Sequence, residues 1–129
     1  MSNIKAIIGL CEKLEFEVIE TNNLPDRVRG RTVYTQQKIL LNKRNKGRIK
    51  TLTLIHEAGH ALHYLRSKEF VDTNYVEHWK EVRAYFYGWA IIKKYNYRVS
   101  KKAWAKFNQI SFLERWYFTR LTRPTNQGK

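Results

Sequence analysis

The chain has 129 residues, with 25 Lys plus Arg against 11 Asp plus Glu and a formal net charge of +14. That length suits one domain over residues 1–129, and 43% hydrophobic with 14% aromatic content excludes a disordered polar chain. A single cysteine, Cys11, excludes a disulfide framework or a Cys-rich zinc ribbon. The apolar run Ala6 to Cys11 is too short to span a membrane, and no export signal is visible, so the expectation is a cytoplasmic protein with no membrane partner.

In chain order, Ile4, Ile7, Ile8, Cys11 and Leu14 fall at helical spacing and predict a helix over residues 3–14. Phe16, Val18 and Ile19 among Glu15, Glu17 and Glu20 predict a half-buried strand. Asn22 to Asp26 is turn chemistry. Arg31–Thr35 and Lys38–Asn42 are two strand candidates separated by Gln36 and Gln37, as in a hairpin. Long helices are expected over about 48–66 and 75–94. Asn96 ends the second, and Ser100 is a plausible N-cap for a helix carrying Trp104 and Phe107. A further aromatic helix is expected over 111–121, and residues 122–129 read as a frayed tail. The order is a helix, a small antiparallel sheet, then helices, an α+β class.

The charge is not uniform. Residues 1–26 carry −3, residues 27–50 carry +9, residues 51–92 carry −1 and residues 93–129 carry +9. Two basic blocks therefore flank a near-neutral centre. Such blocks attract phosphate backbones or acidic surfaces over about one Debye length, roughly 8 Å at physiological salt. Nonspecific DNA contact through residues 27–50 and 93–129 is one reading, and a solvated face that keeps the chain soluble is the other.

The neutral centre holds His56-Glu57-Ala58-Gly59-His60. Histidines four apart on a helix share a face, so both imidazoles can reach one cation, and the intervening glutamate is placed to act as general base on an activated water. A zinc ion supplies that water with a pKa near 7 and a Lewis acid for a carbonyl. The chain has four histidines in all, the surrounding helix is apolar, and Gly59 permits close backbone approach. A charged Glu57 in such a turn is costly without a partner. Catalytic zinc takes a third protein ligand. The candidates are Glu77, His78 and Glu81 on the next long helix, and His63, which reads better as a polar neighbour of the cleft. Glu77 and Glu81 share a face with Ala84, Tyr85 and Gly88, where small residues allow close helix packing. Glu81 has the best such support, leaving Glu77 and His78 as outer or solvent-facing groups.

From about Gly30 to Ile92 these residues resemble the ImmA/IrrE family of zinc-dependent metallo-endopeptidases. The family's strand with an Ile-x-Leu-Asn look matches Lys38-Ile39-Leu40-Leu41-Asn42. Its motif helix matches Thr53-Leu54-Ile55-His56-Glu57-Ala58-Gly59-His60, and Glu81, Ala84, Tyr87 and Gly88 fall where its next helix carries a zinc glutamate, an alanine, an aromatic and a small residue. The resemblance implies a zincin-like fold. It implies zinc bound by His56, His60 and Glu81, with Glu57 as the catalytic base. It also implies a protein substrate, in that family often a DNA-binding repressor of a phage or mobile element. Two positions depart from the family pattern. Tyr85 stands where Asn or Asp usually supports a histidine ligand, and Arg83 stands where a second acid is common.

On this reading Glu57 takes a proton from water as it attacks the scissile carbonyl and returns it to the leaving amine. His78, Tyr85 and Tyr87 are candidates for a supporting or oxyanion-stabilising role. Two rival readings accompany it. One is a basic nucleic-acid-binding protein, virion-associated in type, with a structural or vestigial metal site and C-terminal aromatics such as Trp116 and Phe118 among its basic residues. The other is a SprT-like protease acting on DNA-bound proteins with His78 as third ligand, though Trp79 follows where those proteins place glycine.

Overall fold

The computed structural model describes residues 3–66 and 77–109. Helix α1 (Asn3–Lys13) is followed by strands β1 (Glu17–Thr21), β2 (Gly30–Val33) and β3 (Lys38–Asn42). Helices α2 (Gly47–Arg66), α3 (Glu77–Lys94) and α4 (Lys101–Phe107) complete the described chain. The expected start of α3 at residue 75, the helix over 111–121 and the tail over 122–129 lie outside the described residues. Among the described residues no helix is long and apolar enough to cross a membrane.

The fold is α+β, but its sheet is mixed where an antiparallel one was expected. Strand order is β1-β3-β2, with β2 antiparallel and β1 parallel to the central β3. The β2–β3 hairpin forms as expected, closed by a turn over Tyr34–Gln37 in which Gln37 N–H donates to the Tyr34 carbonyl at 3.2 Å. β1 takes the remaining edge of β3. Glu17 N–H bonds the Gln37 carbonyl at 2.9 Å and Lys43 N–H bonds the Thr21 carbonyl at 3.0 Å. An alternating pattern encodes which face a strand buries and not which neighbour it pairs with, so the parallel pairing left no local trace.

α1 ends in a left-handed residue, Glu15 (φ 66°). There Phe16 N–H closes back on the Cys11 carbonyl at 2.9 Å, which drives the Phe16 ring into the core beside Ile7 and Cys11. Burial, reinforced by the charge of Glu12, pushes the Cys11 thiol pKa up to about 12, so this cysteine is a packing residue rather than a nucleophile. From β3, Ile39 and Leu41 are buried and meet the core that also contains Leu54, Ile55 and Ala58 of α2. α2 is enclosed, and even its Thr51, Thr53, Glu57, His60 and His63 are buried.

Two contacts lock the helices around the site. At Gly59 of α2 a Cβ atom would lie 2.5 Å from the Ala84 carbonyl oxygen of α3, so the two backbones touch where the sequence places its smallest residues. At Gly88 of α3 a Cβ would lie 2.4 Å from the Trp104 ring, so the indole of α4 rests directly on the α3 backbone. Trp104 is fully buried and its Nε1–H donates to the Tyr85 carbonyl at 2.9 Å. The anticipated caps are present: Ser100 Oγ accepts from Ala103 N–H at 3.0 Å, and Asn96 adopts φ 55° at the end of α3.

Replacing Gly59 with alanine should therefore destabilise the protein by about 1–3 kcal/mol, because the obstructing atom is backbone and cannot rotate away. Urea unfolding measures this, and a variant as stable as the parent would show that the helices separate at little cost.

Candidate metal centre

α2 and α3 bring together His56, His60 and Glu81. The Nε2 atom of His56 lies 2.9 Å from Glu81 Oε1, and His60 Nε2 lies 3.3 Å from the same carboxylate. The rings of His56 and His60 meet edge to face at 4.8 Å. All three potential donor atoms fall within 4.8 Å of one another. Ligands at about 2.0–2.2 Å from a tetrahedral zinc stand roughly 3.3 Å apart, so the grouping suits a divalent cation of that size with little adjustment.

The outer nitrogens of both imidazoles are also engaged. His56 Nδ1 contacts Asn108 Oδ1, at the C-terminal end of α4. Asn108 Nδ2 donates to the Trp104 carbonyl at 2.6 Å, which orients the amide so that its oxygen faces the imidazole. That oxygen accepts a hydrogen bond from Nδ1–H and leaves Nε2 as the ligand nitrogen of the neutral ring. His60 Nδ1 has a longer contact, 3.4 Å, with the Tyr34 hydroxyl. Neither Asn108 nor Tyr34 was identifiable from the motif. Asn108 is 52 positions from His56, and its only sequence cue was the capped helix that carries Trp104.

Glu57 is 7% exposed, and its partner is Thr32 of β2, whose Oγ1 lies 2.6 Å from Glu57 Oε1. Gly30 of β2 makes room for this carboxylate, since a Cβ there would approach Glu57 Cγ at 3.1 Å and Thr53 Cγ2 at 2.8 Å. Glu57 thus has the partner that its apolar surroundings required.

The other nominated residues go elsewhere. Tyr85 is fully buried against Trp104, its ring stacked at 6.5 Å, and its hydroxyl has no hydrogen-bond partner among the described residues. Tyr87 stacks on His63 at 6.0 Å, with the Arg66 guanidinium 5.9 Å from its centroid. None of Tyr85, Tyr87 and His63 lines the cleft around the metal group. The structure thus places both Tyr85 and Tyr87 outside the cleft, Tyr85 in the core and Tyr87 against His63 of α2. The side chains of Glu77 and His78 lie outside the described residues.

The cleft has a volume of about 690 Å³. Glu57, the metal group and Asn108 form its floor, while residues 27–32 form one wall and Phe107 and Gln109 border the other. Burial is the strongest influence on His56 and disfavours its charged form. The hydrogen bond to Glu81, the charges of Glu57 and Glu81, and the Asn108 amide together outweigh it, so the His56 pKa rises above the ordinary imidazole value. Burial likewise opposes ionisation of Glu81. The hydrogen bonds and positive charge of His56 and His60 overcome it and hold the carboxyl well below the usual carboxylate range. The cluster is thus poised to bind positive charge, whether a proton or a metal ion.

Comparison with protein-family models, with curated proteins and with solved structures finds no significant match for this chain.

A cation must displace the proton that His56 holds, whereas Glu81 remains ionised until strongly acidic pH. Apparent zinc affinity should therefore fall as pH drops through the raised His56 pKa, beginning above the ordinary imidazole value near 6.5. Isothermal titration across pH checks this, and an affinity independent of pH from mildly alkaline to mildly acidic conditions would contradict it. Asn108→Ala should weaken zinc binding by about 10- to 100-fold. The same titration reads that loss.

Proposed function

We propose that this protein is a zinc-dependent endopeptidase of zincin-like architecture, of the ImmA/IrrE kind. The observation that carries the reading is the convergence of His56 Nε2, His60 Nε2 and the Glu81 carboxylate on the floor of an open cleft, with Glu57 beside them. Two imidazoles and a carboxylate form a three-ligand set with room for a further ligand, the pattern of catalytic zinc. A structural site would be closed by a fourth His, Cys, Asp or Glu, and none joins the group among the described residues. This donor count favours the enzyme over a nucleic-acid-binding protein with a structural metal. The place of Glu81 beside both imidazoles favours it over His78 as third ligand.

His56, His60 and Glu81 would hold the zinc, which when bound supplies a Lewis acid and lowers the pKa of water to near 7. Glu57 accepts the proton as the water attacks the scissile carbonyl and delivers it to the departing amine. Thr32 holds Glu57 Oε1 throughout, which fixes the carboxylate in orientation. Asn108 keeps His56 in the ligating tautomer. β2 is an edge strand that borders the cleft, so an extended peptide can lie along it and add main-chain hydrogen bonds. The substrate on this reading is a protein, with a DNA-binding repressor of a phage or mobile element as the class that the resemblance suggests.

Glu57→Gln should retain zinc yet lower cleavage of a peptide library, read by mass spectrometry, by at least about 100-fold. Undiminished cleavage by that variant would refute the mechanism. Metal analysis provides a second check: Glu81→Ala should lose zinc while His78→Ala keeps it, and the reverse pattern would favour His78 as ligand.

A further inference from the structure

One wall of the cleft that holds the metal group carries Arg27, Arg29 and Arg31, all exposed and all bordering the same space. Two other basic side chains of this block have acidic partners, Arg44 with Asp26 and Lys50 with Glu20. Among the described residues the three cleft arginines have none. The carboxylates that line the cleft are Glu57 and Glu81, and both are engaged, by Thr32 and by the two histidines. Three guanidinium groups within five residues repel one another, and a bound anionic group would relieve that repulsion.

The wall is also held in place. Asn42, at the end of β3, is 4% exposed, and its Nδ2 donates to the carbonyls of Pro25 at 3.3 Å and Val28 at 3.1 Å. The Arg29 carbonyl accepts from Asn42 N–H at 2.9 Å and from Asn45 Nδ2 at 2.8 Å. The Arg29 guanidinium lies 5.2 Å from the Phe107 ring centroid, which spans the cleft from the segment before β2 to α4. A guanidinium resting on a ring keeps its N–H edge available for a carboxylate, which it can bind in bidentate fashion.

From this we infer that the cleft selects acidic peptide segments, with Arg27, Arg29 and Arg31 binding Asp or Glu side chains that flank the bond to be cut. The inference rests on the endopeptidase reading and adds the substrate class to it. A nucleic-acid strand fits less well. Strand-binding grooves offer open aromatic faces to the bases, whereas the aromatics here are already stacked: Tyr34 on Tyr64 at 4.9 Å, and Phe107 on Trp104 at 5.9 Å as well as under Arg29.

The test measures binding without turnover. Zinc-loaded Glu57→Gln protein is titrated into fluorescent peptides of equal length, one acidic, one neutral and one basic, with anisotropy as readout. The acidic peptide should bind about tenfold more tightly than the neutral one, an advantage that added salt reduces. Adding R27Q, R29Q and R31Q together should abolish the preference, and charge reversal with R27E, R29E and R31E should transfer it to the basic peptide. Single substitutions, each at an exposed position, serve if a triple variant loses zinc or unfolds early. Equal binding of acidic and neutral peptides would overturn the inference. So would a preference that survives the triple glutamine variant, or tighter binding of a single-stranded oligonucleotide of equal charge through the same arginines. Parallel cleavage assays with wild-type protein separate the two claims. Acidic and neutral peptides cut alike would end the acidic selection and leave the endopeptidase intact. An acidic peptide bound through the arginines yet left uncut would have the opposite meaning.

Discussion

The backbone contact between α2 and α3 at Gly59 and Ala84 is the constraint on which the candidate site depends. Two histidines on α2 form half a metal site, and the carboxylate must come from another element. Glu81 lies three residues before Ala84, on the same side of α3, so close approach at Ala84 brings its side chain to His56 and His60. A side chain at position 59 would push α3 outward at the point where hydrogen-bond distances of about 3 Å must be kept. The small residues are thus part of the metal-binding arrangement, although neither offers a ligand.

Support for the metal group comes from further away. Trp104 rests on Gly88 and bonds the Tyr85 carbonyl, which fixes α4 against α3. Four residues on, Asn108 uses the Trp104 carbonyl to orient its own amide and presents the oxygen to His56. The resemblance to the ImmA/IrrE family leads to the expectation of a polar support for the histidines directly after Ala84. Tyr85 fills that place with a core ring, and α4 supplies the polar group instead. Tyr85 and Asn108 belong to one packing arrangement, because the Trp104 residue whose indole stacks on Tyr85 also anchors the Asn108 amide through its carbonyl.

The positive charge acquires a location in the folded chain. Part of the block over 27–50 is consumed by ordinary surface pairs such as Lys50 with Glu20. The remainder that borders the cleft is concentrated on β2 and the segment before it, held by Asn42. In a cleft walled by low-dielectric protein, such charge acts on whatever approaches the cleft floor more strongly than the same charge spread over an open surface.

The sequence alone determined the helices among the described residues, the caps at Ser100 and Asn96, the β2–β3 hairpin and the grouping of His56, Glu57 and His60. Each of these is local: periodicity, capping chemistry and i,i+4 spacing operate within a few residues. It also narrowed the third donor to Glu81 through the small residues on its face, since close helix packing leaves a compositional trace. Tertiary structure decided the parallel partner of β1, the carboxylate–hydroxyl bond from Thr32 to Glu57, the reach of Asn108 to His56 and the burial of Tyr85. These contacts join residues far apart in the chain, and neither member carries a local mark of the other. A strand's alternation is blind to its neighbour, and an asparagine after a short helix looks the same whether or not an imidazole lies across from it. The division follows from how the two kinds of order arise. Local structure is written in spacing, whereas a site assembled across elements exists only once packing has fixed their distances.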